Sequence, residues 1–210
     1  MAERLRRVLL ALLLALPAPL PAASALAPLE RFYADTHTLT GQFTQTVTDA
    51  SGTVTEQSRG EFAIQRPGRF RWDYQTPFEQ IIAADGHELW VYEPDLDQAT
   101  VRPVDAQTAD APGLLLSGAR FPADLFDAVA EADGWLRLIP TRADSGLGSV
   151  RLKLTDDTVQ ALELRDGLGQ TTHIELQHQR RNEPVPAKRF AFTPPAGVDV
   201  IRALPAPGDG

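Results

Sequence analysis

The sequence predicts a mainly β protein whose antiparallel sheet curls into a barrel or half-barrel. The first observation is period-two alternation, as in residues 69–74, where aromatic and charged side chains alternate. The second is a series of short turn signals, such as Asp85-Gly86 and Asp156-Asp157, between neighbouring alternating runs. Because a twisted sheet of about ten or eleven strands curls on itself, its apolar face is expected inside.

The first 25 residues predict a cleaved Sec signal peptide. Three arginines precede an apolar run at residues 8–16, and Ala23-Ser24-Ala25 supplies the small residues of a cleavage site. The apolar run is shorter than the roughly 20 residues that a membrane-spanning helix needs. We expect residues 26–202 to form a single domain and residues 203–210 to form a flexible tail.

Charge and cysteine content exclude several classes of function. The chain has a net charge of −8, and removal of an arginine-rich signal makes the mature protein more acidic. This argues against nucleic acid and against adsorption to an anionic membrane, since both attract basic surfaces. There is no cysteine, so neither a disulfide framework nor lipidation after the signal is available. We expect a soluble monomer.

The elements follow in order along the chain. An amphipathic helix is expected at 28–38, because Leu29, Phe32, Tyr33 and Thr36 share one face. Two short helices are expected within 110–130, interrupted near Ser117 and Gly118, with the second beginning near Pro122. Alternating runs predict strands at 41–49, 59–66, 69–74, 78–84, 88–93, 100–104, 135–140, 150–154, 162–165, 173–176 and 188–192.

No constellation of residues predicts catalysis. His173 and His178 lie five residues apart in one expected strand, so they face opposite sides and cannot share a metal ion. The sequence contains no HExxH, GxSxG or P-loop motif and no cysteine nucleophile. We therefore expect no catalytic residue, no metal and no cofactor.

Arg66 is the residue that the pattern singles out. It shares strand parity with the apolar Phe62 and Ile64, so it points inward if the strand continues that far. A buried guanidinium needs hydrogen-bond acceptors, and the free carbonyls at helix ends could supply them, which would make Arg66 a latch. Alternatively, Arg66 ends the strand and reaches solvent. Phe70, Trp72 and Tyr74 either fill the core or line a cavity.

Five segments, in order, resemble the LolA family, the periplasmic outer-membrane lipoprotein carriers of Gram-negative bacteria. The resemblance runs from about Leu29 to Val200. Gly68 departs from relatives that carry Asn, although both residues suit a turn. The segments are LTGQFTQ (39–45), RPGRFRW (66–72), DGHELWVY (85–92), QAT (98–100) and FAFTPPAGV (190–198).

The resemblance implies an incomplete, strongly curved antiparallel barrel of about eleven strands, covered by a lid of three short α-helices. It implies that Arg66 is the lid latch in the empty state and that Phe70 takes part in receiving and passing on cargo. The apolar residues expected to bind and transfer a lipid anchor are Phe70, Trp72, Phe62, Ile64, Trp90, Leu29, Phe32, Leu114, Leu115, Phe121 and Leu125.

The implied location is the periplasm, and the implied role is that of a chaperone rather than an enzyme. The partners would be triacylated lipoprotein cargo, an inner-membrane lipoprotein-releasing ABC transporter driven by ATP, and a LolB-like outer-membrane receptor. Three other functions stay open on the residues. These are a carrier or sensor of free lipids or of another periplasmic ligand, the receptor of the same pathway, which the lack of cysteine disfavours, and a periplasmic hydrolase without a visible nucleophile.

Overall fold

The computed structural model describes residues 25–104, 112–142 and 147–203, which contain two α-helices and twelve strands. Nearly all of the expected signal peptide and of the expected tail lie outside the described residues. The elements are α1 Ala27–Asp35, β1 Thr38–Thr48, β2 Val54–Gln65, β3 Arg69–Thr76, β4 Gln80–Asp85, β5 Glu88–Glu93, β6 Gln98–Pro103, α2 Pro112–Ser117, β7 Phe126–Ala130, β8 Trp135–Pro140, β9 Leu147–Thr155, β10 Thr158–Asp166, β11 Thr171–Arg181 and β12 Asp199–Arg202.

All twelve strands form one curved sheet in the order β12-β6-β5-β4-β3-β2-β1-β11-β10-β9-β8-β7. Neighbouring strands are antiparallel except β12, which runs parallel to β6. The pairing of β1 with β11 joins two meanders, and β12 and β7 are the two edges. The predicted mainly β, unclosed sheet is confirmed, with twelve strands rather than about eleven.

The C-terminal region accounts for part of this difference. A strand was expected at 188–192, but that stretch begins with a single 3-10 turn, Ala187–Arg189, and continues without ladder pairing. Prolines at 184, 186, 194 and 195 flank it, and proline has no N–H to donate to a sheet. Two strands were not expected: β12, a short edge strand further along the chain, and β7.

The lid has two α-helices in the described residues, so the expectation of three was wrong. Beyond α2, the segment expected to form another helix is a 3-10 turn, Ala123–Leu125, followed by β7. Leu125, Phe126 and Val129 fit helical spacing, but Phe126 is buried while Asp127 and Val129 point outward. Pairing of β7 with β8 satisfies backbone groups that a short exposed helix would leave free.

Glycines make room for aromatic rings on the inner face of the sheet. The register places Gly41 of β1 opposite Phe62 of β2, and Phe43 of β1 opposite Gly60 of β2. A Cβ atom on Gly41 would lie 2.8 Å from the Phe62 ring, and one on Gly60 would lie 2.9 Å from the Phe43 ring. Each ring therefore occupies the space above a neighbouring glycine, which keeps the inner face continuous.

The outer face of β2 to β6 is covered by the segment that leads to β12. Arg189 forms ion pairs with Glu61 of β2 and Asp73 of β3 at 3.3 and 3.0 Å. Phe192 then packs against Trp90 and Tyr92 of β5, with ring centroids 5.6 and 5.2 Å apart. The sheet thus has apolar contacts on both faces in this half of the molecule.

Gly60→Ala should destabilise the protein by about 2–3 kcal/mol, because overpacking at a closely paired backbone forces the strands apart. The added Cβ would lie 1.9 Å from the Asp73 carbonyl oxygen. Urea unfolding of the mature protein measures the effect. Gly167→Ala is the matched control, since no atom lies within 4 Å of its Cβ position. Equal unfolding midpoints for the two variants would contradict this packing.

Candidate functional site

The two helices cover the inner face of the sheet. The α1 side chains Leu29, Phe32 and Tyr33 are buried, as the predicted helical face required. From α2 and the residues after it, Leu116 and Phe121 are also buried in the same cluster. α1 packs over β10, whereas α2 packs over β2 and β3. The helices therefore fill the concavity with their own apolar side chains.

Arg66 joins the two helices to the end of β2. Its Nη1 donates to the carbonyl oxygens of Thr36 and Phe32, the latter at 3.4 Å, and its Nη2 donates to the Leu116 carbonyl at 2.8 Å. These carbonyls belong to the C-terminal ends of α1 and α2, where the last carbonyls of a helix lack intrahelical donors. The Phe32 carbonyl differs from the others because it also accepts from the Thr36 N–H at 3.1 Å. A cation is favourable there, because the negative ends of both helix dipoles point towards it.

Two aromatic rings complete the surroundings of the guanidinium. Its central carbon lies 4.6 Å from the centre of the Phe32 ring and 4.3 Å from that of Tyr33. Burial in this apolar environment lowers the pKa of Arg66. Burial also raises the pKa of the Tyr33 hydroxyl, which donates its proton to the Leu115 carbonyl. Tyr33 therefore links the helices at a second point.

The hydrogen bonding of this junction is incomplete. Within the described chain, Arg66 Nε and Thr36 Oγ1 are buried and find no hydrogen-bond partner. Leaving a buried polar atom unsatisfied costs about 1–3 kcal/mol. The junction is consequently weaker than its three carbonyl contacts alone would make it.

The turn between β2 and β3 also holds α2. The Gly68 N–H donates to the Ser117 carbonyl at 2.7 Å, and Gly68 has a φ of 74°, which glycine adopts readily. Nearby, the Phe70 ring lies directly beneath α2. A Cβ atom on Gly113 would come within 2.4 Å of that ring. Phe70 and α2 therefore occupy adjoining space without a gap.

α1 has tethers of its own that do not involve α2. The Asn182 amide oxygen accepts from the His37 N–H at 2.8 Å, and its amide nitrogen donates to the Asp35 carbonyl at 2.7 Å. Arg31 forms two hydrogen bonds with Asp157 in the β9–β10 turn, at 2.7 and 2.9 Å. The sequence analysis missed these partners, because no local pattern links residues more than 100 positions apart.

Most residues expected to bind a lipid anchor lie in one apolar cluster on the inner face. Leu125 lies partly buried at its margin, and the side chain of Leu114 lies outside the described residues. Leu116, which the expected set omitted, is completely buried and also supplies a carbonyl to Arg66. The members from the expected set are Leu29, Phe32, Phe62, Ile64, Phe70, Trp72, Leu115 and Phe121.

Trp90 does not belong to this cluster, which corrects the expectation for that residue. Alternation along β5 places Leu89 in the inner core and Trp90 on the opposite face. There Trp90 packs against Phe192 of the C-terminal segment. Its role is to attach that segment to the outside of the sheet.

The site offers apolar surface and a reversible hydrogen-bonded junction rather than reactive groups. No set of three His, Cys, Asp or Glu residues in the described ranges is arranged to hold a metal ion. None of the helices described is both long and apolar enough to cross a membrane. Chemically, such a surface can bury other apolar groups without requiring a specific shape.

Comparison with known sequences identifies one family over most of the chain. The model of a family described as outer membrane lipoprotein carrier protein LolA matches residues 34–193. The outer-membrane lipoprotein carrier protein of Halorhodospira halophila is 44% identical over 186 residues, which are 89% of each chain. That of Bordetella pertussis is 41% identical over 189 residues, covering 88% of this chain and 90% of the relative.

A solved structure supports the fold. An uncharacterized conserved protein from Thermus thermophilus superposes with a TM-score of 0.51 at 14% sequence identity. The superposition covers 86% of this chain and all of the other. At that identity the similarity concerns the fold alone.

Arg66→Leu should accelerate amide exchange in α2 about tenfold, because its Leu116 carbonyl loses a charged donor. Hydrogen exchange of the empty protein, followed by mass spectrometry, measures this, and the amides of β10 and β11 should be unaffected. Arg180→Leu is the control, since the Arg180 side chain is 71% exposed. If the amide exchange rates in α2 are the same in Arg66→Leu as in the wild-type protein, Arg66 does not hold this helix.

Proposed function

Because this chain belongs to the LolA family of outer-membrane lipoprotein carrier proteins, we propose that it carries lipoproteins across the periplasm. In this proposal it accepts them from an ATP-driven inner-membrane transporter and delivers them to a LolB-like outer-membrane receptor. The observation that carries the proposal is the apolar inner face closed by two helices that Arg66 joins.

The cargo requires such a carrier for energetic reasons. A lipoprotein anchor has three acyl chains of roughly 16 carbons, and at about 0.8 kcal/mol per CH₂ their exposure costs on the order of 35 kcal/mol. Unassisted passage through water is therefore negligible. A curved sheet with an apolar inner face supplies walls that bury these chains without requiring a specific shape.

The cargo and the helices compete for the same surface. Leu116 and Phe121 lie in the same buried cluster as Phe70 and Trp72 of β3. Acyl chains can reach Phe70 only after α2 leaves, because α2 rests directly on that ring. Loading therefore replaces one set of apolar contacts with another. The net free energy of binding is consequently much smaller than the free energy gained by burying the acyl chains alone.

Arg66 makes the exchange of helices for cargo favour release of the cargo. Its hydrogen bonds favour the closed state, so loading has to oppose them and unloading is assisted by them. The transporter would supply the energy for loading, and the receptor would need no energy source. The acidic charge of the chain keeps the carrier from adsorbing to anionic membranes between these steps.

α2 is the part of the lid that moves in this proposal. Breaking the hydrogen bonds from Arg66, Gly68 and Tyr33 releases α2 from the β2–β3 turn and from α1. The same event leaves the contacts of α1 with Asn182 and Asp157 intact. The cavity would then open on the β3 side, directly above Phe70.

The purified mature protein should release newly made outer-membrane lipoproteins from spheroplasts as a soluble one-to-one complex. Arg66→Leu should load equally well or better but deliver less than about a tenth as much cargo to outer membranes, because the closed state no longer assists release. Immunoblotting of the soluble and membrane fractions measures both steps, with Arg180→Leu as the control.

The outcomes of this experiment separate the hypotheses. If no lipoprotein is released while the transporter is active, the carrier proposal fails and a free lipid becomes the leading ligand. Delivery by Arg66→Leu at the wild-type rate would instead refute the latch alone.

Cross-links should distinguish the two helices, since the chain has no cysteine of its own. A short bismaleimide between Gly118→Cys and Arg69→Cys should fix α2 to the β2–β3 turn and abolish loading. The same reagent between Arg31→Cys and Asp157→Cys should fix α1 and leave loading unchanged. A reducible linker provides the control, because reduction should restore loading. Equal loading of both cross-linked proteins would contradict movement of α2.

A further inference from the structure

Trp72 carries a buried hydrogen-bond donor for which the sheet provides no acceptor. The residue is 3% exposed, and its ring stacks on Phe62 at 5.2 Å and lies 4.9 Å from the Phe43 ring. Its Nε1–H has no hydrogen-bond partner among the residues that the structure describes. Buried indole N–H groups usually have partners, so this exception requires an explanation.

A neighbouring residue shows that the same strand can satisfy a buried donor. Tyr74 faces the same side of β3 as Trp72, and its hydroxyl donates to the Gln45 side chain at 3.0 Å. Burial raises the pKa of Tyr74 to about 12, so the hydroxyl stays a donor. Trp72, by contrast, has the apolar Phe62 and Ile82 as its direct neighbours on β2 and β4. Phenylalanine would pack there without burying an unpaired N–H.

The chemistry of the cargo supplies the missing acceptor. Each acyl chain is attached to the lipoprotein through a carbonyl group. This carbonyl loses its hydrogen bonds to water when it enters an apolar cavity. That loss is unfavourable unless the cavity provides a donor. We propose, on the basis of the carrier function proposed above, that the Trp72 Nε1–H donates to a carbonyl of an acyl group of the bound lipid anchor.

This contact adds chemical selectivity to a cavity that is otherwise nonspecific. Apolar walls bind any hydrocarbon of suitable size, whereas a buried donor disfavours a ligand that leaves it unpaired. The carrier would thus prefer acyl chains to alkyl chains of the same length. Arg66 regulates access, and Trp72 recognises the head of the chain.

The test compares two peptides that differ only in carbonyl groups. One carries a diacylglyceryl group on its N-terminal cysteine, and the other carries the dialkyl-ether analogue with chains of the same length. Fluorescence anisotropy of the labelled peptides gives the affinities. The wild-type protein should bind the acyl peptide about fivefold more tightly than the ether peptide, and Trp72→Phe should remove this preference.

A matched control is available on the other face of the sheet. Trp90→Phe makes the same chemical change next to Phe192, outside the inner cluster, and should retain the preference for the acyl peptide. If Trp72→Phe folds poorly, benzothienylalanine can be incorporated at position 72 of a chain that carries Trp90→Phe and Trp135→Phe. This residue has sulfur in place of the indole N–H and keeps the shape of the ring. The resulting protein should lose the preference as well.

Proton NMR of the indole N–H groups tests the proposed hydrogen bond directly. The three tryptophans give three indole N–H signals, and the signal that is missing in Trp72→Phe belongs to Trp72. Its proton should shift downfield with the acyl peptide and not with the ether peptide. A preference that persists in Trp72→Phe, or equal shifts with both peptides, would overturn the inference. Failure of both peptides to bind the wild-type protein would instead refute the carrier function.

Discussion

The closed structure depends on a cation that is stabilised by dipoles rather than by an opposite charge. Arg66 contacts carbonyl groups at two helix ends and two aromatic rings, and in the described chain its contacts include no carboxylate. A buried ion pair is costly to separate, because each partner leaves an uncompensated charge behind. Carbonyl groups and a guanidinium are readily hydrated when they separate. A junction of this kind suits the proposed function, in which the helices have to be held together and then separated.

The inner face of the sheet forms the core of the protein, and in the proposed function it is also the surface that binds the cargo. Gly41 and Gly60 allow Phe62 and Phe43 to lie flat along the strands, so this face presents few projections. Such a surface packs against helix side chains or acyl chains with little preference for shape. α2 lies directly over Phe70, so in the proposed function this surface is covered until cargo replaces the helix.

The sequence predicted the parts of the structure that depend on periodicity. Alternation identified most strands, and helical spacing identified the buried face of α1. The strand parity that predicted an inward Arg66 does not apply directly, because β2 ends at Gln65. Residues 126–130 do not show strand alternation and fit helical spacing, so tertiary pairing with β8 decided their structure. Trp90 was misplaced because β5 is apolar on both faces and its pattern has no polar side to orient it. The contacts of Asn182 and Asp157 depend on the three-dimensional arrangement and leave no mark on local sequence.

The pairing of β12 with β6 affects how copies of the protein meet each other. A sheet that does not close has two edges, and exposed edges can pair with another chain. At one edge the short β12, with Asp199 and Arg202 at its ends, covers the longer β6. At the other edge β7 has only five residues and carries an outward Asp127. Short charged edges of this kind oppose edge-to-edge aggregation, which allows the barrel to stay open without becoming a seed for fibres.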